Sequence, residues 1–226
     1  MNIWDKYVLG KSAGWTAILI MVFTGILAWV AYKANENSVT TQRAFVNFNG
    51  ITGMKVMRAD SKGLAGINFF VNWTNSGTTP TKTATGQVNI QSWRSELPKG
   101  FNYADLATVE KRAFVIGPKA TVSQLVGVTI DDIKDVREGK SHLYLWGWLA
   151  YHDIFPGTPN RLTEFCVEIT NLVSTKPDVT DPSAEFTYIL VPCGKHNCYD
   201  EDCPDYKSRT KITIGGVSQK GNGISP

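Results

Sequence analysis

Cysteine and histidine side chains crowd into one short stretch of this 226-residue chain. Four of them fall within eleven residues: Cys193, His196, Cys198 and Cys203. Three thiolates and one imidazole are suitable ligands for zinc, but structural zinc sites favour two separated pairs of ligands. In an oxidising compartment the cysteines would instead form two disulfides, one local and one reaching the distant Cys166. The spacing favours disulfides over metal and leaves their connectivity open.

Aromatic residues form a second group that could serve a function. The segment His142–His152 places Tyr144, Trp146 and Trp148 on one face of a strand and mainly leucines on the other. Because both faces are apolar, a central strand buried on both sides explains the pattern best. The alternative is an exposed platform, with Trp93, that stacks on sugar rings or on a protein partner.

Acid–base chemistry has few candidates. His142, His152 and Asp153 could ligate a metal or act as an acid and base pair, but such residues at strand ends are more often turn or surface residues. The sequence contains no H-E-x-x-H, P-loop or dinucleotide-binding motif. We therefore predict that the protein is not an enzyme and needs no cofactor.

Composition excludes two classes of protein. The net charge is +3, and 42% of the residues are hydrophobic, which is ordinary for a globular chain and argues against disorder. Basic residues are scattered singly, so no nucleic-acid partner is indicated. After a leading segment of roughly 40 residues, the remaining length suits one domain better than two.

The leading segment predicts a single transmembrane helix at 13–32. Its twenty residues carry no charge, and a helix of that length crosses a roughly 30 Å hydrocarbon layer. Trp15 lies near one end, and Trp29 and Tyr32 lie near the other, where aromatic rings anchor a span at the membrane interface. A cleaved signal peptide would have a shorter apolar region and small residues at its exit. A retained anchor is therefore predicted, with the lipid bilayer as its partner.

Boundaries follow from changes in pattern. We predict an N-terminal head at 1–12, the span at 13–32, a polar linker at 33–42, a domain with a cysteine-rich extension at 43–203, and a tail at 204–226. In the tail, which is rich in Lys, Ser and Gly, residues 211–214 could form a strand.

The domain shows the two-residue period of β-strands. Strands are predicted at 44–48, 55–58, 66–74, 83–93, 111–116, 122–128, 142–152, 162–172 and 186–191. One short helix is predicted, capped by Thr129, with Asp131 and Asp132 in its first turn and Gly139 at its end. About nine short strands and one small helix predict an all-β fold, an antiparallel Ig-like β-sandwich preceded by a single transmembrane helix.

Three stretches carry a resemblance. They are Gln42–Val46 (QRAFV), Trp73–Pro80 (WTNSGTTP) and Leu143–Asp153 (LYLWGWLAYHD), the last followed by RLTEF at Arg161–Phe165. Together they resemble uncharacterised bacterial membrane-anchored proteins with an N-terminal helix and RAYV, NxGxTPA and GxIxYxDxFG motifs. The resemblance covers residues 43–167 and implies a membrane-tethered bacterial domain without an assigned activity. The longer turn at Phe155–Asn160 and the cysteine-rich extension depart from that pattern.

These observations predict a location and a role. Basic residues flank the span almost evenly, so the cysteines decide the orientation: the domain faces the periplasm, from the bacterial inner membrane. We expect a non-catalytic accessory subunit of a larger membrane complex, with the loop 94–107 among its docking surfaces. The alternatives are a module that binds carbohydrate or envelope polymer through Trp93, Trp146 or Trp148, and a metal-binding protein that uses His196 and the cysteines of the extension.

Overall fold

A computed structural model of the protein describes residues 3–58, 63–107 and 111–212. The chain divides into two units, 1–43 and 44–226. The first unit consists of helix α1, Ile3–Gln42. By length and composition, α1 is the one helix in the described part of the chain that could cross a membrane.

Helix α1 continues beyond the predicted span and includes the polar linker predicted at 33–42. Extending an existing helix costs far less than starting one, because each added residue gains a hydrogen bond. Lys33 supports the extra turns by pairing with Glu36 at 2.8 Å, and the Gln42 amide donates to the Ser38 hydroxyl at 2.8 Å. The predicted head at 1–12 also belongs to this helix from Ile3 onward.

The second unit is built mainly of antiparallel strands, as predicted. The described residues form β1 (Val46–Met57), β2 (Leu64–Asn75), β3 (Thr81–Trp93), β4 (Arg112–Phe114), β5 (Thr121–Thr129), β6 (His142–Asp153), β7 (Arg161–Ser174), β8 (Phe186–Pro192) and β9 (Cys198–Tyr199), with helices α2 (Ile130–Arg137) and α3 (Tyr206–Ile212). The first two predicted strands are one strand, β1, which shifts register between Phe48 and Ile51.

Two sheets share one hydrophobic core. The first has the order β1-β2-β5, and the second has the order β4-β3-β6-β7-β8, with β9 paired to β7. Rings from both sheets meet in the core: Phe165 of β7 stacks on Phe48 of β1 at 4.1 Å and meets Trp73 of β2 edge-on at 5.3 Å. The buried Trp73 indole donates to Gln124 of β5 at 2.8 Å, so its polar atom is satisfied.

Strand β6 is buried on both faces, which confirms the interpretation of this strand. Its inner face carries Leu143, Leu145 and Leu149 in the main core. Its outer face carries Trp146 and Trp148, which lie under two segments of chain, residues 97–107 and 193–211. We call these two segments the cover. The loop predicted to dock a partner thus packs part of its apolar surface on its own domain.

Helix α2 has the predicted ends. Thr129 caps it in a reciprocal arrangement with Asp132, each side chain bonding the other residue's backbone. Burial opposes ionisation of Asp132, but hydrogen bonds from Ser92 and Thr129 outweigh it and lower the pKa of this carboxyl below its usual value. Gly139 follows the helix with a φ of 69°, a conformation that glycine adopts without strain.

The predicted strand at 211–214 is wrong in its described part. Residues 211 and 212 belong to α3, and the rest lies outside the described residues. Tertiary contacts explain the helix: Arg209 and Thr210 are buried against the domain. Short helices of this length are unstable alone and depend on such packing.

Candidate functional site

A group of buried charges lies between the second sheet and the cover. Its centre is Glu164, near the start of β7, which pairs with Trp148 of β6 on one side and with Cys198 of β9 on the other. Glu164 is 3% exposed, although alternation places it among the apolar residues of the outer face. A buried carboxylate is costly unless charged or polar groups surround it.

Three side chains of the cover contact Glu164: His196, Arg209 and Cys198. The His196 ring contacts Oε2 through Nδ1, and the Arg209 Nε lies 3.1 Å from Oε1. The Cys198 Sγ lies 3.7 Å from the same Oε2. The carboxylate therefore contacts an imidazole, a guanidinium and a disulfide sulfur at once. We call Glu164, His196, Arg209 and the Cys198–Cys203 disulfide the Glu164 cluster.

Arg209 ties helix α3 to the domain. Its guanidinium lies 3.0 Å from Asp105 and 3.2 Å from Asp205, and donates to the Tyr103 carbonyl at 3.2 Å. The same group stacks over the Trp148 ring at 4.8 Å. One face of the guanidinium thus lies on an aromatic ring while its nitrogens meet oxygen partners, a geometry that lysine could not reproduce.

Trp148 contacts the same group of charged side chains through its indole N–H and through its ring. Its indole N–H donates to Asp105 Oδ1 at 2.7 Å, so Asp105 bridges Trp148 and Arg209. Lys111 lies 3.5 Å from the other Asp105 oxygen and 5.5 Å from the centre of the indole ring. Sequence analysis missed Asp105, Glu164 and Arg209 as a group, because they come from three distant parts of the chain.

All four cysteines pair, in the predicted arrangement of one local and one long-range disulfide. Cys198 bonds Cys203, and Cys166 of β7 bonds Cys193. Asn197 reinforces the long-range pair because its amide donates to the carbonyl of Cys193 at 2.8 Å and to that of Cys166 at 3.1 Å. The extension is thus stapled to the outer face of the second sheet.

Removal of each disulfide is expected to cost a different amount of stability. The Cys166–Cys193 pair spans 27 residues and the Cys198–Cys203 pair spans 5. Loop entropy then assigns about 3.5 kcal/mol to the first and about 2 kcal/mol to the second. Urea unfolding of the double alanine variants in detergent, followed by tryptophan fluorescence, measures the difference. Equal losses would contradict this ranking.

Two sets of possible metal ligands overlap at Glu164. One combines it with Cys198 and Cys203, and the other combines it with His196 and Asp205; within each set the ligand atoms lie within 4.8 Å of one another. The sulfurs are bonded to each other and so are not thiolate ligands. Arg209 already contacts Glu164 and Asp205, and its charge opposes a second cation there. Cys193, the remaining predicted ligand, is bonded to Cys166.

The predicted acid–base residues do not come together. His142 and His152 lie at opposite ends of β6, and His142 pairs with Glu168 at 2.7 Å. His152 borders a shallow groove with Lys82 and Phe155. Asp153 is fully buried as a side chain and serves a different purpose.

Asp153 belongs to a group that holds the start of the domain. Its carboxylate accepts from the Ala44 N–H at 3.0 Å, and the Tyr151 hydroxyl accepts from the Val46 N–H at 3.2 Å. Thr163 donates to the Val46 carbonyl at 2.6 Å. Burial raises the pKa of the Tyr151 hydroxyl well above its usual value, so this group stays neutral.

Asn75 completes this group, which we call the N-terminal clamp: Asn75, Tyr151, Asp153 and Thr163. The side-chain oxygen of Asn75, Oδ1, accepts from the Phe45 N–H at 3.1 Å and from the Gly77 N–H at 3.0 Å. These four side chains lie in the stretches that carry the sequence resemblance. They bond the backbone of residues 44–46, so their role is to fix the chain at the start of the domain.

Two of the three predicted interaction tryptophans are not accessible. Trp146 is 2% exposed and Trp148 is 1% exposed, so neither can stack on a sugar ring, and that prediction is wrong for both. Trp93 is half-buried and meets Phe101 edge-on at 5.3 Å. The cover, which sequence analysis treated as loop and extension, occupies the surface on which a ligand would have stacked.

The predicted membrane anchors lie on α1 and are exposed. Trp15, Trp29 and Tyr32 expose 69%, 63% and 60% of their surface. The apolar residues between them are likewise exposed. An apolar helix surface of this length is costly in water and favourable in lipid.

One catalytic motif occurs in an unsuitable place. Residues 10–14 read G-K-S-A-G, which matches the G-x-S-x-G pattern of serine hydrolases. In those enzymes the serine sits on a sharp turn between a strand and a helix. Ser12 instead lies within α1, where no such turn exists. The motif therefore gives no support to hydrolase activity.

Comparisons with known proteins do not assign this chain to a family. No protein-family model matches the chain, and no curated protein matches it. A crystal structure of a protein from Archaeoglobus fulgidus is similar over 53% of this chain and 95% of that chain, with 10% sequence identity and a TM-score of 0.23. A likeness of this size supports no conclusion about fold or function.

Proposed function

We propose that this protein is a non-catalytic, single-pass membrane protein that serves as an accessory subunit of a larger membrane complex. Helix α1 anchors it in a bacterial inner membrane, and the domain lies in the periplasm. The observation that carries the proposal is the pairing of an exposed apolar helix with a β domain whose polar motif residues bond its own backbone.

An Ig-like sandwich is the finer description that we propose for the domain. In the constant type of that fold, strands A, B, E and D form one sheet and strands C, F and G form the other, to which C′ is added in some members. The orders β1-β2-β5 and β4-β3-β6-β7 correspond to A-B-E and C′-C-F-G. Strand β8 is then an addition after G. Ig-like domains commonly serve in recognition at cell surfaces, although a fold alone does not define a function.

The disulfides support a periplasmic location. Proteins of reducing compartments rarely keep stable disulfides, whereas exported domains often do. Here both pairs join the cysteine-rich extension, one within it and one to β7. A protease added to intact spheroplasts should therefore digest the domain, and inverted membrane vesicles should protect it.

An exposed apolar surface supports a protein partner. Val173, Ile189 and Val191 are 59%, 52% and 43% exposed and lie on β7 and β8. In the described sheet, β8 has one neighbour, so its other backbone edge is open to pairing. Edge strands with apolar side chains and no charge or proline in their interior invite another strand.

A matched pair of substitutions tests the partner surface. Ile189→Lys places a charge on β8, and Leu125→Lys places one on β5, where the leucine is 41% exposed. After mild detergent extraction of native membranes, we expect Ile189→Lys to lose co-purifying proteins at least about tenfold, which corresponds to about 1.4 kcal/mol. Leu125→Lys should retain them. A wild-type protein that purifies alone and monomeric in several gentle detergents would overturn the proposal.

A further inference from the structure

We propose that the Cys198–Cys203 disulfide is an exchangeable redox centre that accepts an electron pair from a protein dithiol. Glu164, in contact with His196, supplies a proton to the sulfur that is released. This inference goes beyond the accessory role and does not depend on it. The geometry that carries it is the buried Glu164 carboxylate beside one sulfur of the disulfide, 3.7 Å from the Cys198 Sγ.

The two disulfides differ in how easily each should open. Cys198–Cys203 closes a short loop, so the chain gains little from keeping it closed, whereas Cys166–Cys193 spans 27 residues. Access does not separate the two pairs, because Cys193 and Cys198 are both partly exposed while Cys166 and Cys203 are both buried. Loop length therefore favours opening of Cys198–Cys203, and Cys198 is the accessible sulfur of that pair.

The surroundings of the two pairs also differ chemically. An amide, Asn197, bonds the backbone of the Cys166–Cys193 pair. A carboxylate and an imidazole in mutual contact, Glu164 and His196, lie at the Cys198 sulfur. A carboxylate beside a sulfur can exchange a proton with a thiol, which an amide cannot do at ordinary pH.

Backbone strain concentrates near the same point. Five described residues other than glycine have a positive φ. Three of them lie in or beside the Glu164 cluster: Tyr103 at 49°, His196 at 57° and Asp200 at 50°. The Tyr103 ring lies 4.2 Å from the His196 ring, so it holds the imidazole from its other side. Strained residues of this kind collect at functional sites, where the fold keeps them in place.

The exchange balances as a two-electron transfer. A thiolate of the partner dithiol attacks the Cys198 Sγ, the bond to Cys203 breaks, and the Cys203 thiolate leaves with the electron pair. The second partner thiol then attacks the partner sulfur of the mixed disulfide and releases the Cys198 thiolate. The two protons lost by the dithiol reach the two cysteines. Glu164 contacts His196 and has a carboxylate oxygen within 4.8 Å of both Sγ atoms, so it delivers a proton first to the departing Cys203 thiolate and then to the Cys198 thiolate. The partner leaves as a disulfide.

The order in which the disulfides open tests the proposal in the unmodified protein. The full-length protein in detergent is incubated with dithiothreitol, free thiols are alkylated at intervals, and mass spectrometry assigns them to each pair. We expect Cys198–Cys203 to be reduced at least about tenfold faster than Cys166–Cys193. Simultaneous opening, or earlier opening of Cys166–Cys193, would overturn the idea.

A pair of variants isolates the role of Glu164. Glu164→Gln should slow reduction of Cys198–Cys203 by dithiothreitol at least about tenfold at neutral pH. Glu168→Gln is the matched control, because Glu168 lies on the same strand and face but pairs with His142. It should leave the rate unchanged. Between about pH 8 and about pH 6, the reduction rate of the wild-type protein should fall less than that of Glu164→Gln, since an acid beside the departing sulfur helps most at low pH.

The control for structure is the Cys166–Cys193 pair, whose slow reduction reports an intact fold in each variant. If Glu164→Gln reduces Cys198–Cys203 at the wild-type rate, with the same pH profile, Glu164 has no part in the exchange. These outcomes are independent of co-purification, so the redox inference and the accessory role fail or survive separately.

Discussion

Replacing Arg209 with methionine is expected to lower the free energy of unfolding by about 3–5 kcal/mol. Arg209 is 9% exposed as a side chain and Glu164 is 2% exposed, so the substitution leaves a buried carboxylate without its cation. Asp105 and Asp205 lose the same partner, and Trp148 loses the group that covers its ring. Urea unfolding of the full-length protein in detergent, followed by tryptophan fluorescence, measures the loss.

A control variant and a second-site variant sharpen this prediction. Lys207→Met lies on the same helix at an exposed position and should change stability by less than about 0.5 kcal/mol. Adding Glu164→Gln to Arg209→Met removes the unpaired charge, so the double variant should regain part of the loss. A loss below about 1 kcal/mol in Arg209→Met would show that the cluster is not what fixes α3.

The regular parts of the fold could be predicted because they depend on local patterns. The burial of β6 on both faces could be predicted, because apolar residues such as Leu143 and Trp146 occur on opposite faces of the strand. Helix α2 shows both of its ends, with a capping threonine before it and Gly139 after it. One local and one long-range disulfide could be predicted because three of the four cysteines lie within eleven residues. Two of these three can pair with each other, which leaves the third for Cys166.

The cover and α3 could not be predicted, because distant residues create them. Arg209 contacts Asp105, which is 104 positions away in the sequence, and a periodic pattern of residues cannot predict such a contact. One signal was available: Glu164 interrupts an apolar strand, at a position where burial requires a partner. The sequence contains many arginines and lysines, so it does not say which of them supplies the charge.

The extension of α1 was missed for a different physical reason. Residues 33–42 are rich in asparagine, serine and threonine, which are poor helix formers in isolation. The preceding apolar helix is already formed, so the chain avoids the cost of nucleation. The hydroxyls of Thr40 and Thr41 bond carbonyls of the preceding turn instead of ending the helix. Composition alone therefore does not show that the helix continues to Gln42.

Replacement of Asp153 by alanine is the second change with a large expected effect, a loss of about 3 kcal/mol in the free energy of unfolding. The buried carboxylate accepts from the Ala44 N–H, and one of its oxygens lies 3.7 Å from Arg161. The substitution leaves a buried N–H without this acceptor and Arg161 without one of its two carboxylates, since Asp200 remains at 3.0 Å.

The conservative variants separate the two parts of that loss. Asp153→Asn keeps an oxygen that can accept from Ala44 but removes the charge beside Arg161, so a smaller loss of about 1–2 kcal/mol is expected. His152→Ala, at the neighbouring and more exposed position, should change stability by less than about 1 kcal/mol. Thermal unfolding in detergent ranks the three. If Asp153→Asn were as damaging as alanine, the charge and not the hydrogen bond to Ala44 would hold the start of the domain.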